Sequence, residues 1–298
     1  MKQKVAFLGL GVMGYPMAGH LSREGFDVTV YNRTAARAER WMSEFSGRMA
    51  VTPADATCGA EIVFACVGQD EDVRSITIGP QGAFETLNKG AIFVDHTTAS
   101  AALARELAEH CQELGCHFID APVSGGQQGA ENGRLTVMCG GEEPPFTRAA
   151  SVMECYALSV KLLGPAGSGQ LCKMVNQVCI AGLVQGLAEG LHFAQAAGLD
   201  ANDVVEVISK GAAQSWQMDN RHKTMLANEF EHGFAVDWMR KDLSIVLQEA
   251  RRNGSQLPVT ALVDQFYADV QAAGGGRWDT SSLLTRLQNK MKPEEKLA

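Results

Sequence analysis

Residues 4–34, KVAFLGLGVMGYPMAGHLSREGFDVTVYNRT, decide the fold of the first half of the chain. Within this stretch an apolar run ends at Leu8 and glycines follow at once. A helix-like pattern then extends to about Arg23, and a second apolar run ends at Tyr31. A strand, a glycine-rich turn, a helix and another strand in this order are typical of a dinucleotide-binding βαβ unit. The stretch therefore predicts that the chain begins with a nucleotide-binding fold.

The turn after the first strand has the sequence GLGVMG at residues 9–14, which matches the G-x-G-x-x-G pattern. In this pattern the first glycine permits a tight turn, the second lets the backbone approach a pyrophosphate, and the third lets helix and strand pack closely. A glycine turn without a ligand is the alternative, but the strand before it and the helix after it favour the functional interpretation. We predict that these residues of the turn contact the cofactor: Gly9, Gly11, Val12, Met13 and Gly14.

The residues after the second strand indicate which dinucleotide binds. An acidic side chain at this position accepts hydrogen bonds from the ribose 2′-OH and repels a 2′-phosphate. Asn32 stands there instead, Arg33 offers a planar set of donors suited to phosphate, and Thr34 adds a hydroxyl. The sequence therefore predicts that NADP(H) is preferred. NAD(H) stays possible if Arg33 is only a solvated surface residue.

Composition and charge limit the kinds of partner that the protein can have. The chain has 298 residues, of which 46% are hydrophobic and 20% charged, as expected for a soluble globular protein large enough for two domains. The net charge of −8 and the lack of a basic tract argue against a nucleic-acid partner, while a small anionic substrate stays possible at a locally positive site. We find no secretory signal and no uninterrupted apolar run of bilayer length, so we expect no membrane partner.

The cysteines and histidines indicate the compartment and the absence of a metal. The eight cysteines contain no Cys-x-x-Cys pair, and several lie in apolar runs. This pattern is typical of free thiols in a reducing compartment, so we expect a cytoplasmic protein. The seven histidines show no paired ligand spacing, and we predict no metal site.

The distribution of apolar residues predicts two domains. Short apolar runs separated by helical patterns predict a mostly parallel sheet covered on both faces; they lie at residues 5–8, 28–31, 62–67, 91–94, 118–123, 135–139 and 160–163. From residue 169 to about residue 197 the chain is apolar nearly all round, which predicts a long buried helix. Further helices are predicted at residues 202–213, 240–252 and 258–273. We therefore predict an α/β protein with a Rossmann doubly wound sheet in residues 1–165 and an all-α domain, built on the long helix, in residues 166–298.

Three later stretches carry residues suited to chemistry. Residues 120–126, DAPVSGG, end an apolar strand with the hydroxyl of Ser124 and the bare backbone of Gly125 and Gly126, which suits a carboxylate. Residues 169–176, GQLCKMVN, open the long helix, and residues 238–243, WMRKDL, open a later one.

Lys173 is the candidate acid/base. Its helix is otherwise almost uncharged, and a cation near a helix N-terminus opposes the macrodipole. Burial and the dipole both disfavour the charged form, as a general acid/base near neutral pH requires. Asn176 lies three residues on, and hence on the same helix face, where it can orient a substrate oxygen. The alternative is that Lys173 is an ordinary solvated lysine.

Taken in order, the glycine turn and the three later stretches resemble the β-hydroxyacid dehydrogenase family over nearly the whole chain. The resemblance implies that Lys173 is the catalytic acid/base and that Asn176 holds the substrate. It also implies that residues 124–126 bind the substrate carboxylate and that Asp242 borders the active site. It places further residues along the cofactor: Val67, Thr98, Phe234 and Lys241. Val67-Gly68 departs from the Leu-Pro that the family often has.

The resemblance implies reversible hydride transfer between NADP(H) and a small β-hydroxy acid or aldehyde acid. A non-catalytic dinucleotide-binding module and an imine reductase are the alternatives, and Lys173 argues against both. The long apolar helix also leads us to expect a homodimer or homotetramer.

Overall fold

The computed structural model describes residues 2–288, and the chain divides into two compact units that meet at Lys173 and Met174. We call the part up to Lys173 unit 1 and the part from Met174 unit 2. The boundary predicted from the sequence, between residues 165 and 166, lies before this division and shortly before the long helix that begins at Ser168. Residues 289–298 of the predicted second domain lie outside the described residues.

Unit 1 alternates strands and helices as predicted. Its strands are β1 (Lys4–Leu8), β2 (Asp27–Tyr31), β3 (Arg48–Met49), β4 (Ile62–Ala65), β5 (Ile92–Asp95), β6 (His117–Asp120), β7 (Val123–Ser124), β8 (Leu135–Cys139) and β9 (Ala157–Leu162). Its helices are α1 (Gly14–Arg23), α2 (Ala35–Glu44), α3 (Pro53–Thr57), α4 (Asp70–Thr77), α5 (Ala101–Glu113), α6 (Gly126–Glu131) and α7 (Glu143–Met153), with a 3₁₀ turn at Ala83–Glu85.

The main sheet of unit 1 has the strand order β3-β2-β1-β4-β5-β6, and its paired strands are all parallel. This is the order of a dinucleotide-binding sheet, in which ligands bind where the strand order reverses, here between β1 and β4. A small second sheet has the order β7-β8-β9. The predicted Rossmann sheet is confirmed.

The main sheet is buried on both faces, because alternate side chains of each strand enter two different cores. In β1, Val5 and Phe7 pack into one core, while Ala6 and Leu8 pack into the other. A continuous apolar strand is required where both faces are covered, which is why the sequence shows unbroken apolar runs rather than alternation.

One predicted strand is divided in the structure. The run at residues 118–123 forms the end of β6 and the start of β7, because the chain leaves the main sheet after Asp120 and joins the second sheet. Backbone hydrogen bonds between Asp120 and Gly140 mark the change of partner. Pro122 lies between the two strands and has no N–H to donate.

Unit 2 is helical. The long helix α8 (Ser168–Ala196) begins in unit 1 and continues into unit 2, which also contains α9 (Ala201–Ile208), α10 (Trp216–Ala227), α11 (Val236–Asn253), α12 (Pro258–Ala272) and α13 (Leu283–Gln288), with a 3₁₀ turn at Thr280–Ser282. The predicted helix at residues 202–213 ends earlier, at Ile208. Helix α10, whose apolar residues are few, was not predicted.

Helix α8 has two different faces along unit 2. Residues such as Ala181 and Val184 lie in the core, whereas Leu183 and Phe193 are exposed, Phe193 by 71%. The helix is therefore buried along one face in unit 2, whereas the sequence predicted burial nearly all round. By length and composition alone it could cross a membrane, a test that core helices of soluble proteins also pass. Polar residues such as Gln177 interrupt its apolar sequence.

Candidate active site

The glycine turn follows β1 at the point where the strand order reverses. Gly9 has a φ of +97°, and a side-chain carbon there would lie under 3.0 Å from the carbonyl oxygen of Cys66. A side-chain carbon on Gly14 would come equally close to the carbonyl oxygen of Gly9. Gly11, in contrast, faces open space, with nothing within 4 Å of such a carbon. The turn thus packs tightly at its ends and leaves bare backbone accessible in the middle, which fits a pyrophosphate.

Asn32 has a structural role that the sequence analysis did not identify. Its Oδ1 accepts a hydrogen bond from the Leu10 backbone N–H at 2.9 Å, and its Nδ2 donates to the Thr34 carbonyl at 2.9 Å. Asn32 therefore ties the glycine turn to the end of β2. The sequence suggested only the missing negative charge, because nothing local indicates a bond to a residue 22 positions away.

Arg33 lies on the surface, with its side chain 87% exposed, and its Nη1 lies 3.1 Å from Oδ1 of Asp72. Thr34 is exposed next to it. Arg37, which the sequence analysis did not single out, also reaches the turn, since its Nη1 donates to the Leu10 carbonyl at 3.4 Å. Its position in the first turn of α2, one helical turn after Arg33, was the signal that could have identified it.

The ends of β4 and β5 hold the next predicted cofactor residues. The Val67 backbone N–H donates to Thr97 Oγ1 at 3.0 Å, and the Thr97 N–H donates to Asp95 Oδ1 at 3.0 Å. Thr98 is half-buried beside them. The Val67-Gly68 segment is thus held by the hydroxyl of Thr97, although its sequence departs from the family pattern.

Buried titratable groups lie behind these strand ends. Burial raises the pKa of Asp95 to about 7 and that of Asp120, its neighbour in register on β6, to about 6. Burial lowers the pKa of His96 to about 4, so the ring is neutral at physiological pH. Its Nδ1 lies 2.7 Å from the Ala121 carbonyl, to which it donates, and its Nε2 accepts from the Tyr156 hydroxyl at 2.9 Å. His96 is therefore a packing residue of unit 1.

The predicted carboxylate-binding segment follows β6. Ser124 ends β7, is half-buried and pairs with Thr136 of β8. Gly125 and Gly126 have φ values of +127° and +62° and are exposed. The backbone turns sharply there and remains open to a ligand, with nothing within 4 Å of a side-chain carbon on Gly126.

Lys173 lies near the start of α8 and is only 8% exposed, so it is not a solvated surface lysine. Asn176 is half-buried three residues further along the same helix. Gln177, four residues after Lys173 and 1% exposed, is a buried polar residue that the sequence analysis missed. Its i+4 spacing from Lys173 on an otherwise apolar helix was the available signal.

In unit 2 the predicted residues Asn176 and Asp242 are joined in a hydrogen-bonded chain by Gln177, which was not predicted. Asn176 Nδ2 donates to Gln177 Oε1 at 2.8 Å, and Gln177 Nε2 donates to Asp242 Oδ2 at 2.6 Å. Lys241 Nζ lies 2.9 Å from Oδ1 of the same carboxylate. Within unit 2, Gln177 therefore connects α8 to α11 through the buried Asp242.

Phe234 is placed by a buried carboxylate. Its backbone N–H donates to Asp279 Oδ2 at 2.9 Å, and Arg221 Nε lies 3.2 Å from Oδ1 of the same group. The Phe234 ring is partly exposed and lies shortly before α11. Within residues 2–288, no group of three or more His, Cys, Asp or Glu side chains is arranged to hold a metal ion.

Comparison with known proteins assigns the two halves of the chain. Residues 4–164 match the family model for the NAD-binding domain of 6-phosphogluconate dehydrogenase. Residues 167–287 match the model for the NAD-binding of NADP-dependent 3-hydroxyisobutyrate dehydrogenase. The chain belongs to the β-hydroxyacid dehydrogenase family.

Its relatives in this family cover nearly the whole length of the chain. It is 63% identical over 285 residues to an uncharacterized oxidoreductase of Shewanella frigidimarina, which spans 96% of this chain and 98% of that protein. It is 33% identical over 286 residues to the 2-hydroxy-3-oxopropionate reductase of Escherichia coli, spanning 96% and 97% of the two chains. The solved structure of Mycobacterium tuberculosis 3-hydroxyisobutyrate dehydrogenase with L-serine matches with a TM-score of 0.88 at 28% identity, covering 97% and 100% of the two chains.

The predicted family and enzyme class are thus confirmed. This β-hydroxyacid dehydrogenase uses a nicotinamide dinucleotide and acts as an NAD(P)-dependent hydroxyacid dehydrogenase. The open backbone of Gly11 at the reversal of strand order fits such a cofactor.

Proposed function

We propose that the protein transfers a hydride reversibly between NADP(H) and a small β-hydroxy acid or aldehyde acid, with Lys173 as general acid/base. The observation that carries this proposal is a lysine 8% exposed near the start of an apolar helix. Burying a cation is costly, so its presence there is better explained by a function than by stability.

Lys173 manages the proton in the proposed reaction. A bound nicotinamide cofactor supplies the hydride or accepts it. In reduction, the Lys173 ammonium gives a proton to the carbonyl oxygen as the hydride reaches the carbonyl carbon. In oxidation, the neutral amine takes the hydroxyl proton as the hydride leaves. We assign to Asn176 the orientation of the substrate oxygen, and to Asp242 a place at the border of the active site.

Preference for NADP(H) is supported by the charges near the end of β2. Arg33 and Arg37 are exposed guanidinium groups on the same short segment, and Asn32 brings no negative charge to repel a 2′-phosphate. Arg33 would exchange its surface pair with Asp72 for the phosphate. Such exposed pairs are worth little, so the exchange is favourable.

The substrate carboxylate is assigned to residues 124–126. The Ser124 hydroxyl and the open backbone after it offer donors to a compact anion. The Escherichia coli relative is named for 2-hydroxy-3-oxopropionate, which carries both an aldehyde and a carboxylate. This agrees with an aldehyde-acid substrate for the present protein.

The experiment compares aldehyde acids of two to five carbons with their neutral analogues at saturating NADPH. The acids should have a much higher kcat/KM, because a neutral analogue leaves polar donors unpaired. Ser124→Ala should raise KM for the acid more than for the neutral analogue. Equal catalytic efficiency for both kinds of substrate would remove the hydroxy-acid assignment, and equal rates with NADH would remove the cofactor preference.

We also propose that the protein is a homodimer or homotetramer, with a second copy packed on the exposed face of α8. Three glycines at four-residue spacing leave open space on this face beside a cavity of about 390 Å³: Gly182, Gly186 and Gly190. Leu183 and Phe193 extend from the same helix as exposed apolar side chains. Light scattering should give two or four times the chain mass, and Gly186→Trp should shift the protein to the monomer.

We further propose a cytoplasmic location. The eight cysteines are free thiols, and burial raises the pKa of Cys155 to about 11 and of Cys139 to about 12. Thiols with a raised pKa stay protonated and unreactive. Free thiols are typical of a reducing compartment. Cell fractionation of the native host would check this location.

A further inference from the structure

The first turn of α8 is attached to the main sheet of unit 1 by the side chain of Gln170. Its Nε2 donates to the Thr97 carbonyl at 2.7 Å, and its Oε1 accepts from the Ala99 N–H at 3.0 Å. Gln170 is 1% exposed, so both bonds are shielded from water. The two residues that it holds flank Thr98, which the family resemblance places along the cofactor.

A second attachment comes from Asp120 at the end of β6. Its Oδ1 accepts from the Gly167 N–H at 2.7 Å, and its Oδ2 accepts from the Gln170 N–H at 2.8 Å. The first N–H groups of a helix have no partner within the helix, and the helix dipole favours a negative charge at that end. A carboxylate from the sheet thus caps a helix that begins 48 residues later in the chain.

The backbone around these bonds leaves no room for adjustment. A side-chain carbon on Gly169 would lie under 3.0 Å from the carbonyl oxygens of both Met138 and Asp120. One on Gly140 would lie 2.5 Å from the Asp120 carboxylate. The start of α8 is therefore fixed relative to the strand ends, both in its position along the helix axis and in its rotation about that axis.

We propose that Gln170 and Asp120 are positioning residues, which fix Lys173 relative to residues 97–99. Lys173 follows Gln170 by three residues and therefore lies on the same side of α8. The bonds that hold Gln170 to residues 97 and 99 thus also fix the distance from the Lys173 amine to the segment that carries Thr98. This inference rests on the proposed function of Lys173 and adds two residues that need not contact the substrate.

Displacement of a catalytic group by about 1 Å can reduce a rate about 10²-fold. Gln170→Met keeps the length and volume of the side chain but removes both hydrogen bonds. We expect kcat to fall about 10- to 100-fold, while KM for the aldehyde acid and Kd for NADPH stay within about threefold. The isotope effect on kcat with NADPH deuterated at the transferred position should rise, because hydride transfer becomes rate-limiting.

Thr57→Val is the matched control in the same unit. The Thr57 hydroxyl is also fully buried and bonded, among others, to the Ala83 carbonyl at 3.1 Å, and it is not among the site residues. The variant Thr57→Val should lower Tm and leave kcat unchanged. Asp120→Asn is the second variant and should act in the same direction as Gln170→Met. A fall in Tm without a fall in kcat for Gln170→Met, or a loss confined to KM or to NADPH binding, would overturn the inference.

Crystal structures of the unmodified protein and of Gln170→Met, both with NADPH, make the test independent of turnover. The Lys173 amine should move relative to Thr98 in the variant, and an unchanged position would overturn the inference. If the unmodified protein reduces no aldehyde acid but the amine still moves in the variant, the proposed function fails and the positioning stands.

Discussion

In unit 1 the predicted cofactor contacts lie at strand ends and depend on backbone, whereas in unit 2 the predicted site residues are side chains on helices that bond to one another. The glycine turn needs only the right residues at the end of β1. The hydrogen-bonded series Asn176–Gln177–Asp242 needs α8 and α11 to pack in one register, because Gln177 and Asp242 are 65 residues apart. The glycine turn of unit 1 is therefore set by local sequence, whereas the side-chain network of unit 2 depends on tertiary packing.

Lys173→Ala gives the largest expected effect and separates chemistry from cofactor binding. Loss of a positioned acid/base should reduce kcat about 10²- to 10⁴-fold, while Kd for NADPH, measured by fluorescence titration, stays nearly unchanged. Lys161→Ala, on an exposed position of β9, is the control and should keep full activity. Near-normal turnover of Lys173→Ala would remove the lysine from the mechanism.

Gly9→Ala tests the backbone side of the comparison. The new methyl group would meet the Cys66 carbonyl at a residue whose φ is +97°, so the turn must shift and NADPH binding should weaken about 10-fold or more. Gly25→Ala is the matched control, with a φ of +89° and nothing within 4 Å of the new carbon. It should lower the free energy of unfolding by about 1–2 kcal/mol and leave Kd for NADPH unchanged. If both variants bind NADPH equally well, the close approach at Gly9 has no functional role.

Gln177→Leu tests the side-chain network of unit 2. It removes the donor at 2.6 Å from a carboxylate that is 2% exposed, which should cost about 1–3 kcal/mol in the free energy of unfolding and raise KM for the substrate. Gln185→Leu changes another buried glutamine of α8, which bonds only to Glu189 among the described side chains. This control should leave the kinetic constants unchanged. Equal effects of the two variants on KM would show that the network around Asp242 is only structural.

Asp72→Asn should have the smallest effect and concerns the surface of unit 1. Removing the carboxylate 3.1 Å from Arg33 should tighten NADPH binding about two- to fivefold, because the guanidinium no longer exchanges one anion for another. The gain should disappear at high salt, and NADH binding should not change. Tighter binding of both cofactors alike would exclude Arg33 as a contact of the 2′-phosphate.

The sequence predicted the strands of unit 1 because each must be apolar on both faces, and it predicted the glycine turn because its geometry is local. Helix α10 escaped prediction since its polar residues obscure the period, although Ser215 caps it and Asn228 ends it in a left-handed conformation. Prediction failed for partners distant in sequence. Gln177 with Asp242 and Phe234 with Asp279 are pairs that no short-range pattern indicates.

The amide of Asn32 links the charge next to the ribose position to the conformation of the segment between the glycine turn and Thr34. Asn32→Asp would keep an oxygen for the Leu10 N–H and add the charge that favours a ribose 2′-OH over a 2′-phosphate. The same change would set a carboxylate oxygen against the Thr34 carbonyl, which now accepts the amide N–H. An acidic residue at position 32 would therefore strain the segment that Asn32 ties to the glycine turn. A second substitution near residue 34 would have to relieve that strain, so an evolutionary path between the two cofactors would need at least two steps here.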